Sequence, residues 1–89
     1  MNLINHKDSF GNFYQLNKSG ESPTTIFIHG VGLDHSMWYP QKDFFYNKSV
    51  LFYDLINHGQ STGGFDELSF NIYSEQLLNL INELKLEKI

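Results

Sequence analysis

Cysteine, arginine and alanine are all absent from this 89-residue chain, and proline occurs only twice. Without cysteine there is no disulfide framework, no thiolate metal site and no thiol nucleophile. The basic residues are six lysines against ten acidic residues, giving a formal net charge of −4. A nucleic-acid binder needs a positive stripe to displace phosphate counterions, so that class is excluded. Long apolar runs are missing too: the longest, Val50 to Tyr53, falls far short of the ~20 residues of a membrane helix. The N-terminus, Met1 to Asp8, lacks the basic head and apolar core of a signal peptide, so a cytoplasmic chain is expected, without a membrane partner.

What is present is globular in kind. Leu, Ile, Val and Phe together number 28 of 89 residues, above the ~20% below which chains tend to stay disordered. The order of segments predicts an α/β fold. Residues 2–17 read as two short strands around a turn made by Asp8-Ser9 and Gly11-Asn12, and 17–23 as a loop. Thr24 to His29 is β-branched and aromatic without polar alternation, as in a parallel strand buried on both faces. After a glycine loop, Ser36 to Tyr46 is a helix candidate with Trp38, Phe44 and Phe45 facing inward. Ser49 to Asp54 is a second buried-type strand, which completes a βαβ unit. Residues 56–68 form a glycine-bearing loop. Ser69 caps a helix whose Phe70, Tyr73, Leu77, Leu80, Ile81 and Leu84 share one face, with Ile72 partly exposed. Lys85 to Ile89 reads as a turn into a further strand.

Gly30-Val31-Gly32, at the end of the first buried strand, admits three readings. It is an oxyanion-hole loop with the Val31 N–H as donor. It is the start of a dinucleotide site with Asp54 as the ribose-binding acid, although His35 stands where the third glycine belongs. Or it is a turn that simply needs glycines. His6, His29, His35 and His58 have no metal-ligand spacing, so no metal is expected.

His29-Gly30-Val31-Gly32-Leu33-Asp34-His35-Ser36-Met37-Trp38 resembles the strand-to-loop segment of α/β-hydrolase fold enzymes, HG-x-G followed by Trp. Asp54-Leu55-Ile56-Asn57-His58-Gly59-Gln60-Ser61 resembles their second marker, D-x-R-G-H-G-x-S, with Ile56 for Arg and Asn57 for Gly. The resemblance covers residues 13–89, in family order; the Asn57-His58-Gly59 stretch is similar to small-acyl esterases and the His29 to Asp34 stretch to enol-lactone hydrolases. It implies the N-terminal part, residues 1–89, of a partial α/β-hydrolase sheet acting on a small acyl substrate without a cofactor. In that reading Val31 donates its N–H within an oxyanion loop that includes His29, Gly30 and Gly32. Trp38, Asp54, His58, Gly59 and Ser61 are structural supports, and the nucleophile, acid and base lie beyond Ile89.

Gly59-Gln60-Ser61-Thr62-Gly63 matches the nucleophile-elbow pattern G-x-S-x-G by letter. An elbow needs strand, tight turn and helix in succession. Here the strand ends near Leu55 and Gly63-Gly64-Phe65-Asp66 continues as loop. No histidine follows His58, and a reversed order His29, Asp54, Ser61 would take His29 from its supporting place. Ser61 is therefore expected to stabilise its loop. The sheet order of the family it resembles implies that the strand at 24–29 pairs only with that at 50–54, leaving an edge that can template association.

Overall fold

A computed structural model describes residues 3–19, 23–64 and 68–89. The expectations for Asn2, for part of the 17–23 loop and for Phe65-Asp66 lie outside these residues. Four strands form one sheet: β1 (Ile4–Lys7), β2 (Phe13–Asn17), β3 (Thr25–Ile28) and β4 (Val50–Tyr53). Their order is β1-β2-β4-β3. β2 is antiparallel to β1 and β4, whereas β3 is parallel to β4, with Phe27 opposite Phe52 and Ile28 opposite Tyr53.

Strand alternation builds two cores from one central strand. Val50 and Phe52 point to one face, where they join Phe27, Trp38 and Phe45. Tyr53 points to the other, where it joins Leu55 and Leu80, with Tyr73 and Leu77 of α1 (Phe70–Glu83) and its C-cap Leu84 closing over them. All four β4 residues are buried, as a strand covered on both faces requires. β3 is less covered than its composition predicts: Thr25 is exposed and Ile28 is 47% exposed. Among the described residues it is an edge strand paired with β4 alone.

The helix expected over 36–46 is shorter and tighter, a 3-10 helix over His35–Gln41 followed by turns. Pro40 lies inside it. Proline has no N–H to donate and crowds the preceding turn, which disfavours an α-helix there. Asp34 caps its start by accepting from the Ser36 N–H at 2.8 Å. Trp38 and Phe45 pack on the core as expected, but Phe44 is 73% exposed because the helical register ends before it. In α1, Ser69 is the N-cap, accepting from the Ile72 N–H at 3.3 Å. Phe70 is 90% exposed rather than inward, since the face that meets the sheet starts a turn later at Tyr73.

The end of α1 is a Schellman motif. Lys85 has φ +55, its N–H reaches Asn82 O, and the Leu86 N–H reaches Ile81 O at 3.0 Å. The turn brings the last residues back to the sheet, where Lys88 O accepts the Thr24 N–H at 2.8 Å beside the start of β3. Among the described residues no helix is long and apolar enough to cross a membrane.

Candidate active site

Ligands of open α/β sheets bind beyond the carboxyl ends of parallel strands. β3 and β4 are the parallel pair, and each runs directly into a tight turn. In the first, the Leu33 N–H bonds Gly30 O at 3.1 Å and Gly32, at the third position, has φ +86. In the second, the His58 N–H bonds Leu55 O at 2.9 Å and Asn57, at the third position, has φ +65. Asparagine is the residue after glycine that best tolerates this conformation. That explains physically why Asn57 can stand where the resembling motif has Gly.

Two histidines stitch the turns together. His29 Nδ1–H donates to Gly30 O at 2.7 Å, and its Nε2 accepts the Leu55 N–H at 2.9 Å. His58 Nδ1–H donates to Ile56 O at 2.9 Å, and its Nε2 accepts the Gly32 N–H at 2.9 Å. A backbone amide can only donate, so each Nε2 carries its lone pair and each proton sits on Nδ1. The rings lie 5.3 Å apart.

Val31 sits at the tip, 76% exposed. Its N–H has no hydrogen-bond partner among the described residues. The peptide is planar and trans, so the Val31 N–H points opposite to Gly30 O. That oxygen is held twice, by the Leu33 N–H and by His29. Fixing the oxygen aims the open N–H. Beside it is a cleft of about 620 Å³, lined by Gly32, Leu33 and Met37 from one side of the pair and by Asn57, His58 and Gly59 from the other. Asp34 also lines it, its carboxyl held below the ordinary carboxylate range by the Ser36 hydroxyl and N–H.

Asp54 directly follows β4 and is fully buried. Its Oδ1 accepts the His35 N–H at 2.7 Å and His35 Nδ1–H at 2.8 Å, and its Oδ2 accepts the Gln60 N–H at 2.9 Å. The dinucleotide reading is thereby corrected: this carboxylate faces inward with its oxygens occupied, and a ribose could not reach it. Gly59 lies so close that a Cβ there would stand 2.2 Å from Asp54 Oδ2. Ser61 Oγ donates to Asp54 O at 2.5 Å and accepts the Phe13 N–H at 2.9 Å, joining this loop to β2. Trp38 packs against Phe27 with ring centroids 5.3 Å apart. Ligand atoms of Asp34, His35 and Asp54 lie within 4.8 Å of one another. The 2.8 Å contact between His35 Nδ1 and Asp54 Oδ1 is a hydrogen bond, which keeps the nitrogen protonated and unfit as a metal ligand.

Sequence reasoning missed Gln76. It is buried on α1, donating from Nε2 to Asp54 O at 2.8 Å and to Asn12 Oδ1 at 3.1 Å. Its Oε1 accepts the Ile56 N–H at 3.0 Å. The available signal was its spacing, three residues after Tyr73 and four before Leu80, which places an amide within the apolar stripe.

No family model matches the chain. It is 31% identical over 70 residues, 78% of its length, to (E)-2-((N-methylformamido)methylene)succinate hydrolase of Acinetobacter baylyi. It is 31% identical over 75 residues, 83% of its length, to 3-oxoadipate enol-lactonase 1 of the same organism. The chain spans only 27% and 28% of those two relatives. The crystal structure of the enol-lactonase from Burkholderia xenovorans superposes with a TM-score of 0.77 at 25% identity, covering 92% of this chain and 33% of that one. The sheet order, the two glycine turns beyond its parallel strands and these likenesses agree: the chain belongs to the α/β-hydrolase fold family and corresponds to about a third of such an enzyme.

Proposed function

We propose that this chain supplies the oxyanion-hole part of a serine-type α/β hydrolase that acts in the cytoplasm on a small ester, lactone or similar acyl substrate. The observation that carries the reading is the Val31 N–H, without a partner among the described residues, next to the cleft-lining Gly32 and with its peptide plane fastened from behind. When a nucleophile adds to an acyl carbon, the carbonyl oxygen gains negative charge. A donor already aimed at that position stabilises the charge without reorganising. His29, Gly30 and Gly32 shape the turn. Asp54, His58, Gly59 and Ser61 hold the neighbouring loop against it, and Trp38 anchors the 3-10 helix that follows. The nucleophile, acid and base come from residues outside this chain, and an oxyanion loop without them offers no covalent route.

Two assays test this. The 89-residue chain alone should hydrolyse p-nitrophenyl acetate at the background rate, unchanged in Ser61→Ala, because both hydrogen-bonding functions of that hydroxyl are engaged. A chimera in which this chain replaces the matching part of 3-oxoadipate enol-lactonase 1 should hydrolyse small esters or lactones. Val31→Pro removes the N–H and should lower its kcat by roughly 10²- to 10³-fold, the usual cost of one oxyanion donor, whereas Val31→Ala retains activity. Equal activity of the two chimeras, or Ser61-dependent turnover by the chain alone, would overturn the proposal.

A further inference from the structure

His58 belongs to the second loop, yet its Nε2 bonds the first one, at the Gly32 N–H. The peptide joining Val31 to Gly32 is the central peptide of the Gly30–Leu33 turn. Such a peptide has two turn geometries, related by a flip that exchanges its N–H and C=O directions. Glycine at the third position accepts either. Gly32 itself is uncrowded, with nothing within 4 Å of where a side chain would begin. The observed orientation is the one that gives the Gly32 N–H its acceptor, His58 Nε2 at 2.9 Å. A flip would turn the Val31 carbonyl toward the cleft wall that Gly32 and His58 share. Negative partial charge would then stand beside the place where an oxyanion has to form.

We propose that His58 is a positioning residue for the oxyanion loop and a proton-operated latch on it: neutral His58 holds the Val31–Gly32 peptide in its receptive orientation, and protonated His58 releases it to flip. The inference rests on reading Val31 as the oxyanion donor. The chemistry balances on one proton. Neutral Nε2 is an acceptor and matches an N–H. Imidazolium Nε2–H is a donor and matches a C=O, which the flipped peptide presents. Each state therefore satisfies its own hydrogen bond. The titratable groups around His58 are His29 at the end of β3, 5.3 Å away ring to ring, Asp34 on the same cleft, and Asp54 at the end of β4, behind Gly59. Asp54 is saturated by His35 and Gln60, and His29 by Gly30 and Leu55.

The test is NMR on the full chain labelled at glycine, valine and histidine. At neutral pH a scalar coupling across the N–H···N bond should connect Gly32 N to His58 Nε2. Acidification should erase it in step with protonation of the His58 ring, shift the Val31 carbonyl resonance and lower the Gly32 amide protection factor, corrected for the intrinsic exchange rate at each pH, by more than 10-fold. His58→Ala should show the acid-like Gly32 and Val31 signals at every pH. His58→Gln keeps an acceptor oxygen that does not titrate in this range, so it should restore the neutral-like signals and abolish their pH dependence. Absence of the coupling in the wild-type chain at neutral pH overturns the latch, as does a Gly32 transition that survives in His58→Gln or follows His29. The oxyanion reading fails separately. A Val31→Pro chimera as active as Val31→Ala, with the coupling intact, removes that reading and leaves the latch standing.

Discussion

Replacing Gly59 by alanine tests the support beneath the site most directly. Gly59 has φ +50, and an added Cβ would stand 2.2 Å from Asp54 Oδ2 and 2.5 Å from Cγ. Positive φ costs a non-glycine residue roughly 1–2 kcal/mol. The carboxylate must also move, and it is not free to swing: Asp54 is fully buried and pinned by His35 and Gln60. Losing even the 2.9 Å bond from the Gln60 N–H costs roughly 1.5–3 kcal/mol for a charged acceptor. The sum is about 2.5–5 kcal/mol, which a domain of this size converts to a fall in Tm of about 10–40 °C. Gly32→Ala is the control. It has the same kind of backbone strain, φ +86, with open space around the new methyl, so its cost stops near ~1–2 kcal/mol. Gly30→Ala meets only Leu33 Cδ1 at 3.6 Å and should be close to neutral. Urea unfolding followed by the fluorescence of Trp38, the single tryptophan, ranks the three. The clash further requires that Gly59→Ala and Asp54→Ala be less than additive, because the methyl enters space the carboxylate has vacated. Gly59→Ala no more destabilising than Gly32→Ala would refute the reasoning.

Three further outcomes are expected. Gln76→Ala should destabilise by about 2–4 kcal/mol in urea unfolding, through a cavity and three buried polar groups left without its amide; the exposed neighbour change Glu75→Ala should stay within about 0.5 kcal/mol. Burial pushes the Tyr53 phenol up to about 12 from 10.0. The folded state thus holds its proton longer than the unfolded state, so stability is intact below pH 10.0 and falls as pH rises toward about 12. Tyr53→Phe should flatten that alkaline fall, worth at most ~3 kcal/mol, in urea midpoints measured across the range. Finally, among the described residues β3 is paired on one side only and Ile28 is 47% exposed on it. Sedimentation should show concentration-dependent association of the chain that Ile28→Lys suppresses, since a charge on an edge strand blocks strand addition.

The sequence by itself determined the elements whose signals are local. The apolar run at 50–53 became the buried central strand, and Ser69 became the cap of α1. The two glycine motifs fell at the ends of the parallel strands. These follow from side-chain period, β-branching and capping chemistry, which neighbouring residues decide among themselves. Local reasoning erred where an element met its surroundings. Phe44 and Phe70 are as apolar as Phe45 and Tyr73, yet they are exposed because the chain turns away from, or begins before, the sheet that could cover them. Only the tertiary structure decided what the polar residues do. Asp54 stands at a spacing suited to ribose, but the approach of His35 and Gln60 turned it into a buried brace. Gln76 meets Asn12 across 64 positions, and His58 meets Gly32 across 26. The first bond exists because α1 packs over the sheet beside the start of β2, the second because parallel pairing of β3 and β4 sets two loops side by side, leaving a donor in one facing an acceptor in the other. A hydrogen bond is directional over about 3 Å, and no spacing along the chain encodes that distance.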